Sequence, residues 1–202
     1  MEQLIAYLQK MGVLKTKRIT SAFKAVDRAD FVLPEYILSA YEDKALPIGY
    51  GQTISQPAVV AFMLELLEPE HGERILDVGS GSGWTTALLA NIVGAKGKVY
   101  GVEIVPELTA YGQANIAKYN SHADITQAQA ILGLPEKAPF DRILVSASGP
   151  SIPQPLLDQL NMGGIMVISI NEAIWKVYKK EKSKTNIEKF EGFLFVPLIE
   201  NK

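Results

Sequence analysis

The sequence predicts a doubly wound α/β fold: a mostly parallel sheet with N-terminal helices and an antiparallel C-terminal hairpin. Three observations support this. From residue 73, short apolar runs such as "RILDVG" and "GKVYGVE" alternate with stretches of helical periodicity, the pattern of right-handed βαβ units. The chain before residue 70 carries helical spacing and then Pro- and Gly-broken segments instead. Near the end, "AIWKVYKK" and "EGFLFVPL" flank the polar "EKSKTNIEK", which reads as two strands and their turn.

In chain order, Leu4, Ile5, Leu8 and Met11 fall on one helical face, as do Ile19, Ala22, Phe23 and Val26. "RADFVLPEY" and "AYEDKALPIGYGQT" are expected to be extended and irregular, because Pro34, Pro47, Gly49 and Gly51 interrupt them. A helix is expected from about Gln56, with Pro57 in its first turn and Val60, Met63, Leu64 and Leu67 buried. After the "RILDVG" strand come a helix through Leu88, Leu89 and Ile92, the "GKVYGVE" strand, and the helix "PELTAYGQANIAKY". Strands follow at "DITQAQ", "DRILVSA" and "GGIMVISI", with the short helix "PQPLLDQL" before the last. Lys179, Lys180, Lys182 and Lys184 read as a solvated turn that keeps an edge strand from pairing. One domain is expected over 1–202, divided into 1–70 (helical and extended), 71–170 (βαβ core) and 171–202 (edge hairpin).

Composition narrows the function. With 202 residues, 48% of them hydrophobic, the chain can bury a sizeable core. A net charge of −2 gives no basic surplus for nucleic acid. Cysteine is absent, which excludes disulfides and thiolate metal sites. No apolar run reaches the roughly 18 residues of a membrane span, and the N-terminus lacks a signal-peptide pattern. A cytoplasmic monomer is expected, without metal, nucleic acid or membrane partners.

"LDVGSGSGW" follows the first strand of the βαβ series and opens a helix. Gly79, Gly81 and Gly83 let the backbone turn sharply beside a ligand. Asp77 precedes them, and Glu103 ends the next strand 20 residues after Gly83, where a carboxylate can hold ribose hydroxyls. Asp77 could instead only cap the following turn, and Glu103 could be a solvated strand end. A dinucleotide fingerprint needs glycine at position 84; Trp84 stands there. Asp77 would repel phosphate and suits a cationic or amine-bearing ligand, so the electrostatics fit S-adenosylmethionine.

At this point the sequence resembles a known family. "AYEDKALPIGYGQTISQP", "ILDVGSGSGW", "VYGVEIVPEL", "PFDRILVSA", "IPQPLLDQL", "GG" at 163–164 and "FVPL" at 195–198 are similar, in order, to protein-L-isoaspartate O-methyltransferases. The resemblance implies a Rossmann-like class I methyltransferase fold whose strand order is altered at the far edge of the sheet. It implies that 1–70 forms the substrate side and 71–170 the cofactor side. By the same resemblance, Asp77, Gly79, Ser80, Gly81, Ser82, Gly83, Glu103, Ile104 and Gln129 bind S-adenosylmethionine, Gln52, Thr53 and Ile54 bind substrate, and Ser55 is catalytic. The implied reaction methylates the abnormal carboxylate of L-isoaspartyl residues in damaged peptides and proteins. This chain departs from the pattern where similar proteins carry "GDG" after the third strand of the series: it has Ala128, Gln129 and Ala130, and Gln129 retains a carbonyl acceptor for an adenine N–H. It also ends four residues after Leu198, short of the family's C-terminal extension.

A carboxylate nucleophile with a pKa of about 4 is already ionised at neutral pH and needs no general base. That accords with a chain holding two histidines, His71 and His122, both in polar surroundings. Ser55 therefore reads as a donor orienting the carboxylate, with Thr53 and Gln52 lining the same cleft. Ser55 could alternatively serve only as the cap of the helix after it. A catalytically weak homologue that binds S-adenosylmethionine as a module, and a methyltransferase for a small molecule, are the competing readings.

Overall fold

The computed structural model describes residues 1–119, 122–181 and 184–198. Helices α1 (Glu2–Lys10) and α2 (Lys17–Ala25) bury the apolar faces expected of them, except that Met11 lies just past α1 and is exposed. The segment expected to be irregular is more ordered than its prolines suggest. It forms 3-10 turns at Arg28–Phe31 and Pro34–Ser39, then an antiparallel hairpin of β1 (Leu46–Gly49) and β2 (Gln52–Ile54). The glycines that argued against regular structure supply the turn. Gly49 and Gly51 adopt positive φ on either side of Tyr50, which is itself left-handed at φ 54°.

Helix α3 (Pro57–Leu67) follows, with Val60, Met63, Leu64 and Leu67 buried. Its ends are fixed by residues remote in sequence. Asp43 Oδ1 accepts from the Ala58 N–H at 2.8 Å, and the Arg142 side chain donates to the carbonyls of Leu67 and Glu68 at 2.9 and 3.3 Å. Each satisfies groups that a helix terminus leaves open. Ser55 does not cap this helix: the N-cap is Gln56, and the capping carboxylate is that of Asp43.

The main sheet contains β3 (Arg74–Val78), β4 (Lys98–Glu103), β5 (Ala123–Gln127), β6 (Phe140–Gly149), β7 (Leu160–Ile170), β8 (Ala173–Glu181) and β9 (Lys184–Glu191), in the order β5-β4-β3-β6-β7-β8-β9. β3 to β7 are parallel, while β8 and β9 are antiparallel additions at one edge. Helices α4 (Trp84–Val93), α5 (Pro106–Ala117) and α6 (Gln154–Gln159) are the crossovers. Alternate residues of the central strands enter opposite cores: Ile75, Leu144 and Val167 on one face, Leu76, Ile143 and Ile168 on the other. Both faces are covered, as a parallel sheet requires.

The hairpin at the far edge is present, but its second strand differs from expectation. β9 is "KTNIEKFE", of which "KTNIEK" was taken above as turn, and "GFLFVPL" instead runs back across the site end of β6. There, Ser148 N–H donates to Val196 O at 2.8 Å and Leu198 N–H to Ser148 O at 2.8 Å. Phe193 stacks on Phe62 of α3 at 5.4 Å, which secures this tail. β9 is mostly exposed, so as an edge strand it tolerates a polar sequence without hydrophobic alternation. Of the four lysines read as a solvated turn, Lys182 lies outside the described residues. Lys179 is 8% exposed, and its Nζ donates to the carbonyls of Leu157 and Leu160, both at 2.6 Å. Its ammonium satisfies carbonyls at the α6 C-terminus rather than water.

Candidate functional site

A cavity of about 330 Å³ opens at the carboxyl ends of β3, β4 and β6, the crevice where open α/β sheets bind ligands. Its floor is Val78 and the glycine loop 79–82, and one side is Glu103 and Ile104 at the end of β4. Residues 128–133 face these, Ser146, Ala147 and 196–198 form the back, and Ile48, Gln52, Thr53, Ile54, Ser55 and Val60 form the front. A second recess of about 310 Å³ adjoins it, bordered by Ala45, Gln56, Val59, Leu194 and Phe195. The two share Thr53, Ser55, Ser146 and Val196, so Ser55 stands at their junction.

The structure thus brings Gln52, Thr53, Ile54, Ser55, Gly79, Ser80, Gly81, Ser82, Glu103, Ile104 and Gln129 around one space. Asp77 and Gly83 do not border it. Asp77 is fully buried beneath the loop, with Oδ2 accepting from the Thr85 and Thr86 hydroxyls at 2.7 Å each. Those bonds tie β3 to the first turn of α4. Gly83 begins α4 at φ 88°, and a Cβ there would lie 3.0 Å from the Gly112 carbonyl and 3.0 Å from Ile116 Cγ2. Only glycine permits both that backbone and that approach of α4 to α5.

Burial raises the Asp77 carboxyl to about 6. The Thr86 and Thr85 hydroxyls pull it back, and the Glu103 charge pushes it further up. A folded-state value above the unfolded 3.8 means that the folded chain holds the extra proton between about pH 4 and pH 6. The stability from this group is therefore present at low pH and is lost as pH rises through about 6. The expected difference is on the order of 3 kcal/mol, from about 1.4 kcal/mol per pKa unit. Urea unfolding of the parent and Asp77→Asn at pH 4 and pH 7 checks it: the parent should lose stability relative to the variant by roughly that amount. A pH-independent gap between them would count against it.

Glu103 is 5% exposed. Its Oε2 accepts from the Gly81 N–H at 2.8 Å and its Oε1 from the Val105 N–H at 3.0 Å. The carboxylate thereby holds the glycine loop, and its remaining lone pairs are available to two vicinal hydroxyls. The Ser55 hydroxyl has no hydrogen-bond partner among the described residues, while its carbonyl accepts from Arg28. Trp84 packs edge-on to Phe23 at 5.5 Å, a structural contact. Both histidines are exposed and neither borders the cavity.

These walls suit a phosphate-free nucleoside carrying a cation. No lysine or arginine is among the residues lining the cavity, so nothing there would neutralise a pyrophosphate. The carboxylate of Glu103 suits ribose, and exposed Gln129 borders the same cavity. Ile48, Ile54, Val60, Leu132 and Leu198 supply apolar surface around it.

Sequence reasoning did not single out Arg28, Asp43 or Ser146. The first two act on helix ends and carbonyls far along the chain, and no local pattern announces such contacts. Ser146 lies within β6, toward the carboxyl edge of the sheet, in a stretch of small residues that carries no motif of its own.

Comparison with known proteins agrees with this geometry. The family model described as Protein-L-isoaspartate(D-aspartate) O-methyltransferase (PCMT) matches residues 1–202. A protein-L-isoaspartate O-methyltransferase of Pyrobaculum islandicum is 44% identical over 201 residues, covering 97% of each chain. One from Anaeromyxobacter dehalogenans is 45% identical over 205 residues, covering 97% of this chain and 95% of its own. Among solved structures, a Plasmodium falciparum protein described as a beta-aspartate methyltransferase, in complex with S-adenosyl-L-homocysteine, superposes with a TM-score of 0.87. It is 26% identical, with 98% of each chain covered. A second, described as a protein-L-isoaspartate O-methyltransferase, has a TM-score of 0.89 at 27% identity and covers 99% of this chain, which spans 66% of that longer one. With a whole-length family match, two-fifths sequence identity to these relatives and a fold that superposes on solved members along nearly its whole length, the chain belongs to the protein-L-isoaspartate O-methyltransferase family.

Proposed function

We propose that this protein methylates the free α-carboxylate that L-isoaspartyl residues carry as a side group in damaged peptides and proteins, as a repair reaction. The observation that carries this reading is Ser55 at the junction of the cavity and the outer recess, its hydroxyl without a hydrogen-bond partner among the described residues. S-adenosylmethionine, when bound, supplies a methyl group on a sulfonium that is attacked in line. Glu103 would hold its ribose, the loop 79–82 its amino-acid end and Gln129 its adenine. The buried Asp77 carboxylate adds negative potential beneath the loop and favours a cation above it.

The substrate carboxylate enters from the outer recess, where Ser55 and Thr53 donate to it and fix its direction. Ile54, Val60 and Val196 exclude water from the neck. Opposite charges are cancelled as the bond forms, so a dry, aligned site supplies most of the acceleration, and orientation alone can contribute up to ~7–11 kcal/mol. The ester carbonyl is then open to attack by the following backbone nitrogen, which releases methanol and forms a succinimide. Water reopens the ring, in part to normal aspartate.

The test is transfer of labelled methyl to an isoaspartyl peptide and to its aspartyl twin. Label on the first alone is the expected result; equal label on both, or none on either, would overturn the reading.

A further inference from the structure

Arg28, like Asp77, is at 0% exposure, and no carboxylate forms an ion pair with it among the described residues. Its partners are carbonyls. Nη1 donates to Ala40 O at 2.7 Å and Glu42 O at 3.4 Å; Nη2 donates to Lys44 O at 2.9 Å and Ser55 O at 3.1 Å. The guanidinium carbon lies 5.2 Å from the centre of the Trp84 ring, at the first residue of α4. Burial lowers this group to about 10, with Asp43 opposing the shift, so it stays charged at neutral pH. Burying a cation without an anion is expensive, and a core needing only volume would be filled by an apolar side chain. What a guanidinium adds is a planar fork that fixes several carbonyls at once.

We infer that Arg28 is a positioning residue for methyl transfer: by clamping the Ser55 carbonyl against the 40–45 loop, it fixes the backbone that aims the Ser55 hydroxyl at the carboxylate. The inference rests on the methyltransfer reading above. The same loop reinforces the clamp, because Asp43 accepts from the Gln56 side chain at 3.1 Å and from the Ala58 N–H at 2.8 Å. Ser55 is thus held by its own carbonyl on one side and by the start of α3 on the other, at the junction of the two recesses. Lysine keeps the charge, but a single ammonium cannot span carbonyls on both sides of the fork.

The test is a double-mutant cycle on the full chain with Arg28→Lys and Ser55→Ala, reading kcat for an isoaspartyl peptide and cofactor Kd by calorimetry. Arg28→Lys should lower kcat by about tenfold or more with cofactor Kd unchanged. In the Ser55→Ala background the same change should cost less than about twofold, because the group it positions is gone. Equal losses in both backgrounds, no loss of kcat, or a parallel weakening of cofactor binding would each overturn the inference. A parent chain that fails to methylate the peptide overturns the functional reading instead, so the two failures are distinguishable. Should Arg28→Lys not fold, Arg28→Gln takes its place in the cycle; if neither folds, Arg28 is a scaffold residue and the inference fails.

Discussion

Replacing Ser55 with alanine should lower the rate of methyl transfer to an isoaspartyl peptide by roughly ten- to 150-fold, the equivalent of losing one hydrogen bond to a charged group worth about 1.5–3 kcal/mol. Cofactor affinity should not change. Ser55 borders both recesses and its hydroxyl has no partner among the described residues, so removing it leaves no buried protein group unsatisfied. Folding should be intact for the same reason, since the α3 cap comes from Asp43. Single-turnover rates with saturating cofactor, beside a calorimetric Kd, separate the two effects. Equal losses of rate and affinity, or an unchanged rate, would remove Ser55 from its orienting role. Thr53, which borders the same two recesses, accounts for the activity that remains.

Glu103→Ala should act on the other ligand and by more. Two ribose hydroxyls donating to one carboxylate are worth about 1.5–3 kcal/mol each, so cofactor Kd should rise on the order of 100-fold or more. A second loss compounds the first: the Gly81 and Val105 N–H groups lose their acceptor, which loosens the loop under the cofactor. Glu103→Gln discriminates between these effects. It keeps one acceptor oxygen but turns an amide donor toward one of those N–H groups, so its Kd should lie closer to that of alanine than to that of the parent. Titration with S-adenosylhomocysteine measures this without any turnover. An unchanged Kd for Glu103→Ala would show that the ribose lies elsewhere.

The βαβ core was legible because burial on both faces forces predominantly apolar strands such as "RILDV", and because the glycine loop has to sit where a strand meets a helix. Gln52, Thr53 and Ser55 were legible for another reason: polar side chains between two apolar runs have no core to fill. β9 was missed because an edge strand makes its ladder bonds through the backbone, and "KTNIEKFE" therefore carries no hydrophobic signature. Lys179 was misread because its burial depends on carbonyls at the end of α6, which only tertiary packing brings near. Arg28 and Asp43 share that character: each satisfies main-chain groups more than ten positions away. Asp77 was placed in the right region but in the wrong layer, since two threonine hydroxyls draw it under the loop and off the cavity wall.

The α4–α5 seam at Gly83 bears on any attempt to re-tailor this enzyme for an enlarged cofactor analogue. Position 83 offers no latitude, because the turn geometry and the helix seam both depend on a missing side chain. Pruning should begin at Ile131, which is exposed on the opposite wall and lies outside the sheet and its crossover helices.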